Sequence, residues 1–199
     1  MKVAEKALWT AGCLLLLVYL VARADSAVGR ESALERATEL FEPQYRFWSH
    51  ERIEAYRASA SLEAGPLVGT LQISSLDLLV PLYGDTGVLH LNRGVGLIEG
   101  MARPGHPGNV GIAGHRDGFF RVLRDIRKGQ RVEVRTPASL YIYEVSEISI
   151  VDAADASLLA PTREPSLTLV TCYPFYFVGP APRRFVVRGV LISRQGVSR

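Results

Sequence analysis

The stretch SLTLVTCYP, Ser166 to Pro174, decides the reading of the fold. Aliphatic and β-branched residues run without a break from Leu167 to Thr171, the composition of a buried strand. Pro174 cannot donate to a ladder, so the strand ends at the Cys172-Tyr173 step. Cys172 therefore stands where pairing stops and loops begin to build clefts. The other cysteine, Cys13, lies inside an apolar run near the N-terminus, in a context too different for a disulfide. A lone thiol in a folded domain is most often just a small hydrophobe. The neighbours of Cys172 must decide whether it does more.

Working outward, the chain from Val68 onward is a series of short strands. Residues 69–76, 78–83, 110–113, 131–136, 141–151 (one bent strand or two), 166–172 and 185–192 each carry the apolar pattern, with Gly and Pro between them. Such a series gives a sandwich or closed barrel. One short helix is expected at Phe119 to Ile126, FFRVLRDI. There are no internal repeats and no low-complexity tract.

Two other strand ends carry reactive groups. His115, in IAGHRDGFF, follows an apolar strand and Gly114, and Arg116 and Asp117 make that end polar. Arg184, in PRRFVVRG, opens the last strand. A thiolate is a nucleophile, and an imidazole beside it is an acid or base. A permanently cationic guanidinium can hold the oxyanion formed when a carbonyl is attacked. Spacing alone does not bring the three together. Metal chemistry is poorly served: one His and one Cys supply two ligands, with no C-x-x-C or H-x-x-x-H beside them. Asp85, Asp152 and Asp155 read as solvated loop carboxylates. No G-x-G-x-x-G, P-loop or G-x-S-x-G is present, and neither a metal nor a cofactor is expected.

The net charge is +3, and 20 Arg against 3 Lys account for the basic pI. The arginines are scattered rather than clustered, so no nucleic-acid footprint is expected. Residues Ala7 to Ala22, ALWTAGCLLLLVYLVA, form an uncharged run preceded by Lys2 and Lys6. It is shorter than the roughly 20 residues of an average span, but snorkelling and local thinning let such a segment cross. A cleavable signal peptide is the alternative, with Ala22-Arg23-Ala24 as a small-x-small site. Either reading exports the chain from about residue 26 onward. The stretch from Arg30 to about Ala60 is rich in Glu, Arg and Ala with near-helical apolar spacing, interrupted at Pro43. It is expected to form one or two juxtamembrane helices, with Trp48 and His50 as packing residues and Ser61 to Pro66 as a linker.

Three segments together resemble the sortase family. TLVTCYP, Thr168 to Pro174, is similar to the sortase Thr-Leu-x-Thr-Cys strand end. GNVGIAGHRDGFFRVL, Gly108 to Leu123, resembles the segment carrying the sortase histidine. RRFVVRG, Arg183 to Gly189, resembles the segment carrying its arginine. The resemblance implies an all-β, eight-stranded barrel with short helices, preceded by a transmembrane helix and helical stalk. It divides the chain into an anchor at 1–25, a stalk and linker at 26–65 and a catalytic domain at 66–199.

It also implies Cys172 as nucleophile, His115 as general acid/base and Arg184 as the arginine, with Arg183 the competing choice and Arg188 inside the strand. Thr171 matches a Thr that helps shape the substrate groove. The implied partners are a secreted protein with a C-terminal LPxTG-like sorting signal, an amine acceptor and the cytoplasmic membrane. The implied location is a single pass, with the catalytic domain outside. CYPFYFVGPAPRRFVV most resembles class D and the related Gram-negative type, and no Asp-Pro-aromatic lid stretch precedes the domain. Gly94-Val-Gly-Leu-Ile-Glu-Gly departs from the Pro and His common in relatives. An L,D-transpeptidase, which would carry Ser-His-Gly-Cys, and a non-catalytic β-domain with a structural Cys172 are the competing readings.

Overall fold

The structure is a computed structural model and describes residues 9, 12–18, 43, 45–62, 64–65, 67–176 and 179–196. Its centre is a barrel of eight strands: β1 (Leu67–Ile73), β2 (Leu78–Tyr83), β3 (Val95–Leu97), β4 (Asn109–Ala113), β5 (Arg131–Arg135), β6 (Ser139–Asp152), β7 (Ser166–Tyr173) and β8 (Arg183–Gly196). They close in the order β1-β2-β3-β4-β7-β8-β6-β5. The strand series allows a sandwich or a closed barrel, and the structure is the eight-stranded barrel that the sortase resemblance implies. Most neighbours are antiparallel, while β2–β3 and β4–β7 run parallel.

The two-residue strand period sends alternate side chains inward. Leu71, Val80, Leu82, Ile112, Val134, Tyr143 and Leu169 meet in the interior with no exposed surface. Each aliphatic side chain so buried contributes roughly 1.5–3 kcal/mol. Residues 141–151 belong to one strand, β6, which bends where its register against β8 shifts near Ile142 and again near Val145.

Local departures from the expected pattern have local causes. The first strand stops at Ile73, because Ser74–Leu76 coil into a 3-10 turn that ends on Asp77 at φ 50. A short polar side chain tolerates that left-handed conformation better than most. A six-residue helix, α2 (Val88–Arg93), and the three-residue β3 lie between β2 and β4. Both are too short to show a period. The helix expected at Phe119 to Ile126 is a 3-10 helix, Phe119–Asp125, which buries Phe119, Phe120 and Leu123.

Within the expected stalk, α1 (His50–Ala60) starts at Ser49, whose Oγ accepts from Arg52 N at 3.2 Å. This N-cap is worth about 1 kcal/mol. The helix lies on the barrel. Trp48 meets Phe119 edge-on at 4.7 Å, and Tyr56 meets it at 6.2 Å. Trp48 thus packs as expected, whereas His50 sits at the surface beside Glu54. Half of the expected membrane span at 7–22 lies outside the described residues. Residues 12–18 are helical, with exposed side chains. Among the described residues no helix is long and apolar enough to cross a membrane.

Candidate active site

The site follows from which face of β7 each residue takes. Leu167 and Leu169 join the barrel core, while Val170 packs outside it with Val186, under Ile98, Val151 and Leu159. By strand alternation Cys172 shares the outer face of Val170. On β8, Val186 pairs with Val170 and Arg184 pairs with Cys172. Arg184 therefore lies beside the thiol on the same face. Arg183 pairs with Tyr173 instead, and its guanidinium lies 5.2 Å from the centre of that ring. Arg188 pairs with Thr168, further along the strand.

The third residue arrives on β4. Ala113 pairs with Val170, and Gly114 N donates to Val170 O at 3.2 Å. Continuing that parallel register by two residues sets His115 level with Cys172. His115, two residues past the end of β4, thus falls in line with the Cys172–Arg184 pair on the two neighbouring strands, and all three are partly buried. Two features fix the β4 end of the row. The buried Thr171 hydroxyl donates to the Gly114 carbonyl at 2.8 Å, directly behind His115. Gly114 must be glycine, because a Cβ there would lie 2.8 Å from the Phe120 ring. The hydroxyl of Thr171, expected to shape the substrate groove, is turned toward this carbonyl.

Burial first, and then the Arg52 cation, lower the His115 pKa from 6.5 to about 4, against the opposing pull of Asp117. The imidazole is neutral at pH 7 and can accept a proton. Arg184 Nη1 donates to the carbonyls of Ala181 and Arg183 at 3.2 and 3.1 Å. The Nε and Nη2 donors are not used by these two bonds.

The segment between Cys172 and Arg184 leaves β7 through a cis Tyr173–Pro174 bond. Arginines near His115 strap it down. Arg116 donates to Gly179 O at 2.8 Å, and Arg121 donates to Phe175 O at 2.9 Å. Arg121 also lies 4.3 Å over the Tyr176 ring, and Arg124 reaches its hydroxyl. A cavity of about 630 Å³ opens beside Ile98, between the turn after β2 and the β3–β4 loop, with Asp85, Glu99, Met101 and Arg103 in its wall.

The loop carboxylates have local uses. Asp85 accepts from Gly87 N and pairs with His90 at 2.7 Å, which holds its pKa below the usual range. Asp155 caps Ser157 N at 2.9 Å, and Asp152 pairs across strands with Arg183. Among the described residues no group of three or more His, Cys, Asp or Glu could hold a metal ion. Arg52 lies far from the site in sequence, and Arg121 and Arg124 lie in the segment read as a short helix, so no local pattern marks them; Arg116, beside His115, is marked only as part of a polar strand end.

The sequence profile of the sortase domain matches residues 71–192. Sortase D of Bacillus subtilis is 33% identical over 138 residues, 69% of this chain and 70% of its own length. This agrees with the class D-like character expected from the β7–β8 segment. Sortase A of Listeria monocytogenes is 26% identical over 120 residues, covering 58% of this chain and 54% of that protein. The crystal structure of Listeria monocytogenes sortase A superposes with a TM-score of 0.61 at 24% identity, over 67% of this chain and 92% of that one. The profile spans all three strand ends, and with the Bacillus relative matching over two thirds of both chains, the chain belongs to the sortase family of cysteine transpeptidases.

Proposed function

We propose that the chain is a class D-like sortase. It cleaves an LPxTG-like sorting signal of a secreted protein between Thr and Gly and passes the acyl group to an amine at the cell surface. The row of His115, Cys172 and Arg184 on one barrel face carries this reading. His115 starts neutral and takes the thiol proton. The Cys172 sulfur attacks the Thr carbonyl carbon, and Arg184 donates hydrogen bonds to the resulting oxyanion. The C–N bond then breaks, the imidazolium gives its proton to the leaving Gly amine, and a thioester remains on Cys172. An acceptor amine attacks that thioester, His115 takes its proton, and the thiol is regenerated as the new amide forms. An imidazolium as acidic as this one is a strong donor to a departing amine.

The apolar side chains of Leu14 to Val18 are 58–71% exposed on the barrel-free N-terminal helix. Covering them with lipid would remove that surface from water, which favours the signal-anchor reading, with the barrel outside the cytoplasmic membrane. The test is to incubate the protein with an LPxTG peptide and an amine, then identify the products by mass spectrometry. A Thr–Gly cut with a Thr–amine ligation product is expected. A protein that neither cuts nor ligates any LPxTG-like peptide would favour the non-catalytic β-domain.

A further inference from the structure

We propose that Arg52, on the helix that precedes the barrel, is a positioning residue for His115, clamping the His115 turn to α1 and α2. This rests on His115 being the acid/base of the site. Arg52 Nε meets Asp117 Oδ1 at 3.3 Å, and Arg52 Nη1 donates to Asn92 Oδ1 at 2.6 Å. One side chain therefore joins α1, α2 and the loop two residues beyond His115. Its stem and the imidazole flank the same glycine: a Cβ on Gly118 would lie 3.5 Å from both Arg52 Cδ and His115 Cβ. Gly118 N also donates to His115 O at 3.2 Å, closing the turn onto itself.

An ordinary surface ion pair would do little here. This one differs because the Arg52 side chain is only 17% exposed, and a buried guanidinium holds its geometry better than a solvated one. The charged groups that act on His115 are Arg52 on α1 and Asp117 on its own loop, with the Cys172–Arg184 pair next along the row. Of these, Arg52 opposes protonation of the imidazole and Asp117 favours it. The pre-barrel helix is thus part of the machinery of the site: it orients the imidazole and holds it in the neutral form.

The full-length Arg52→Met variant keeps most of the stem and loses the charge and both hydrogen bonds. Arg52→Gln is a softer neutral variant that retains one donor group, and Arg52→Lys keeps the charge. Two readouts separate positioning from bulk stability: the NMR titration of the His115 imidazole, and the pH profile of kcat/KM with an LPxTG peptide. Met and Gln should each raise the His115 titration, because a neighbouring cation is gone. The acid limb of kcat/KM should move by the same amount. They should also lower kcat about tenfold with little change in KM, as misplacement of a proton-transfer group does. Lys should restore the titration and part of kcat.

An unchanged His115 titration and pH profile in both neutral variants, whatever their melting temperatures, overturns the proposal. His115→Ala keeps the two questions apart. If that variant turns over normally, the acid/base reading fails even where Arg52 shifts the titration. If it is dead while Arg52→Met and Arg52→Gln titrate like the parent, only the positioning role fails.

Discussion

Replacing Thr171 with Val tests how the barrel holds its histidine. The Thr171 side chain is 2% exposed, so water cannot replace its hydroxyl at the Gly114 carbonyl. Valine nearly preserves the shape but leaves that buried acceptor without this donor, at a cost of about 1–3 kcal/mol. A domain of this size loses roughly 2–4 °C of Tm per kcal/mol, so a fall of about 2–12 °C is expected. The functional effect should be larger than the stability effect. Gly114 directly precedes His115, and a shift near 1 Å in a catalytic group costs up to ~100-fold. We expect kcat to fall about ten- to a hundredfold. Thr171→Ser keeps the donor and loses one methyl group, worth about 0.8 kcal/mol, and should stay close to the parent in kcat. Thermal denaturation and steady-state cleavage of a fluorogenic LPxTG peptide measure both. If Val matches the parent, or Ser is as impaired as Val, the hydroxyl does not hold the turn.

Other perturbations give equally definite expectations. Arg184→Ala should lower kcat/KM by ~100-fold or more, the scale of an oxyanion donor, while Arg183→Ala should change it little; the reverse result would move the register by one residue. Gly114→Ala forces a methyl against the Phe120 ring, 2.8 Å away, and overpacking of this kind costs about 1–3 kcal/mol by urea denaturation. His115 titrates at about 4 in the fold against 6.5 when unfolded. The unfolded chain therefore binds a proton between these values that the fold does not, and stability falls as pH drops through that window. Each unit is worth about 1.4 kcal/mol, so urea denaturation at pH 7 and 4.5 should differ by up to about 3 kcal/mol more in the parent than in His115→Gln. Equal pH dependence in the two proteins would contradict the buried neutral imidazole.

How far the sequence could be read depended on the length and locality of each signal. β7, β4 and β8 were legible because each is an apolar run that ends at a polar or reactive residue. Their meeting was not legible from spacing. It needed the parallel β4–β7 pairing and the β7–β8 register, both long-range. α2 and β3 were missed because six and three residues carry no usable period. The Phe119–Asp125 segment was placed correctly, but its tighter 3-10 winding is set by packing of Phe120 and Leu123 rather than by propensity. Arg52 was read as part of a charged stalk. Its contact with Asp117 spans 65 residues of chain, and no local pattern announces it.

The central claim is that Cys172 is the nucleophile, and mass spectrometry after mixing the protein with an LPxTG peptide tests it most directly. The account predicts a mass gain equal to the peptide's acyl fragment, mapped to the fragment containing Cys172 and absent from Cys172→Ala. An adduct that persists in Cys172→Ala, or that maps to any other residue, would contradict it.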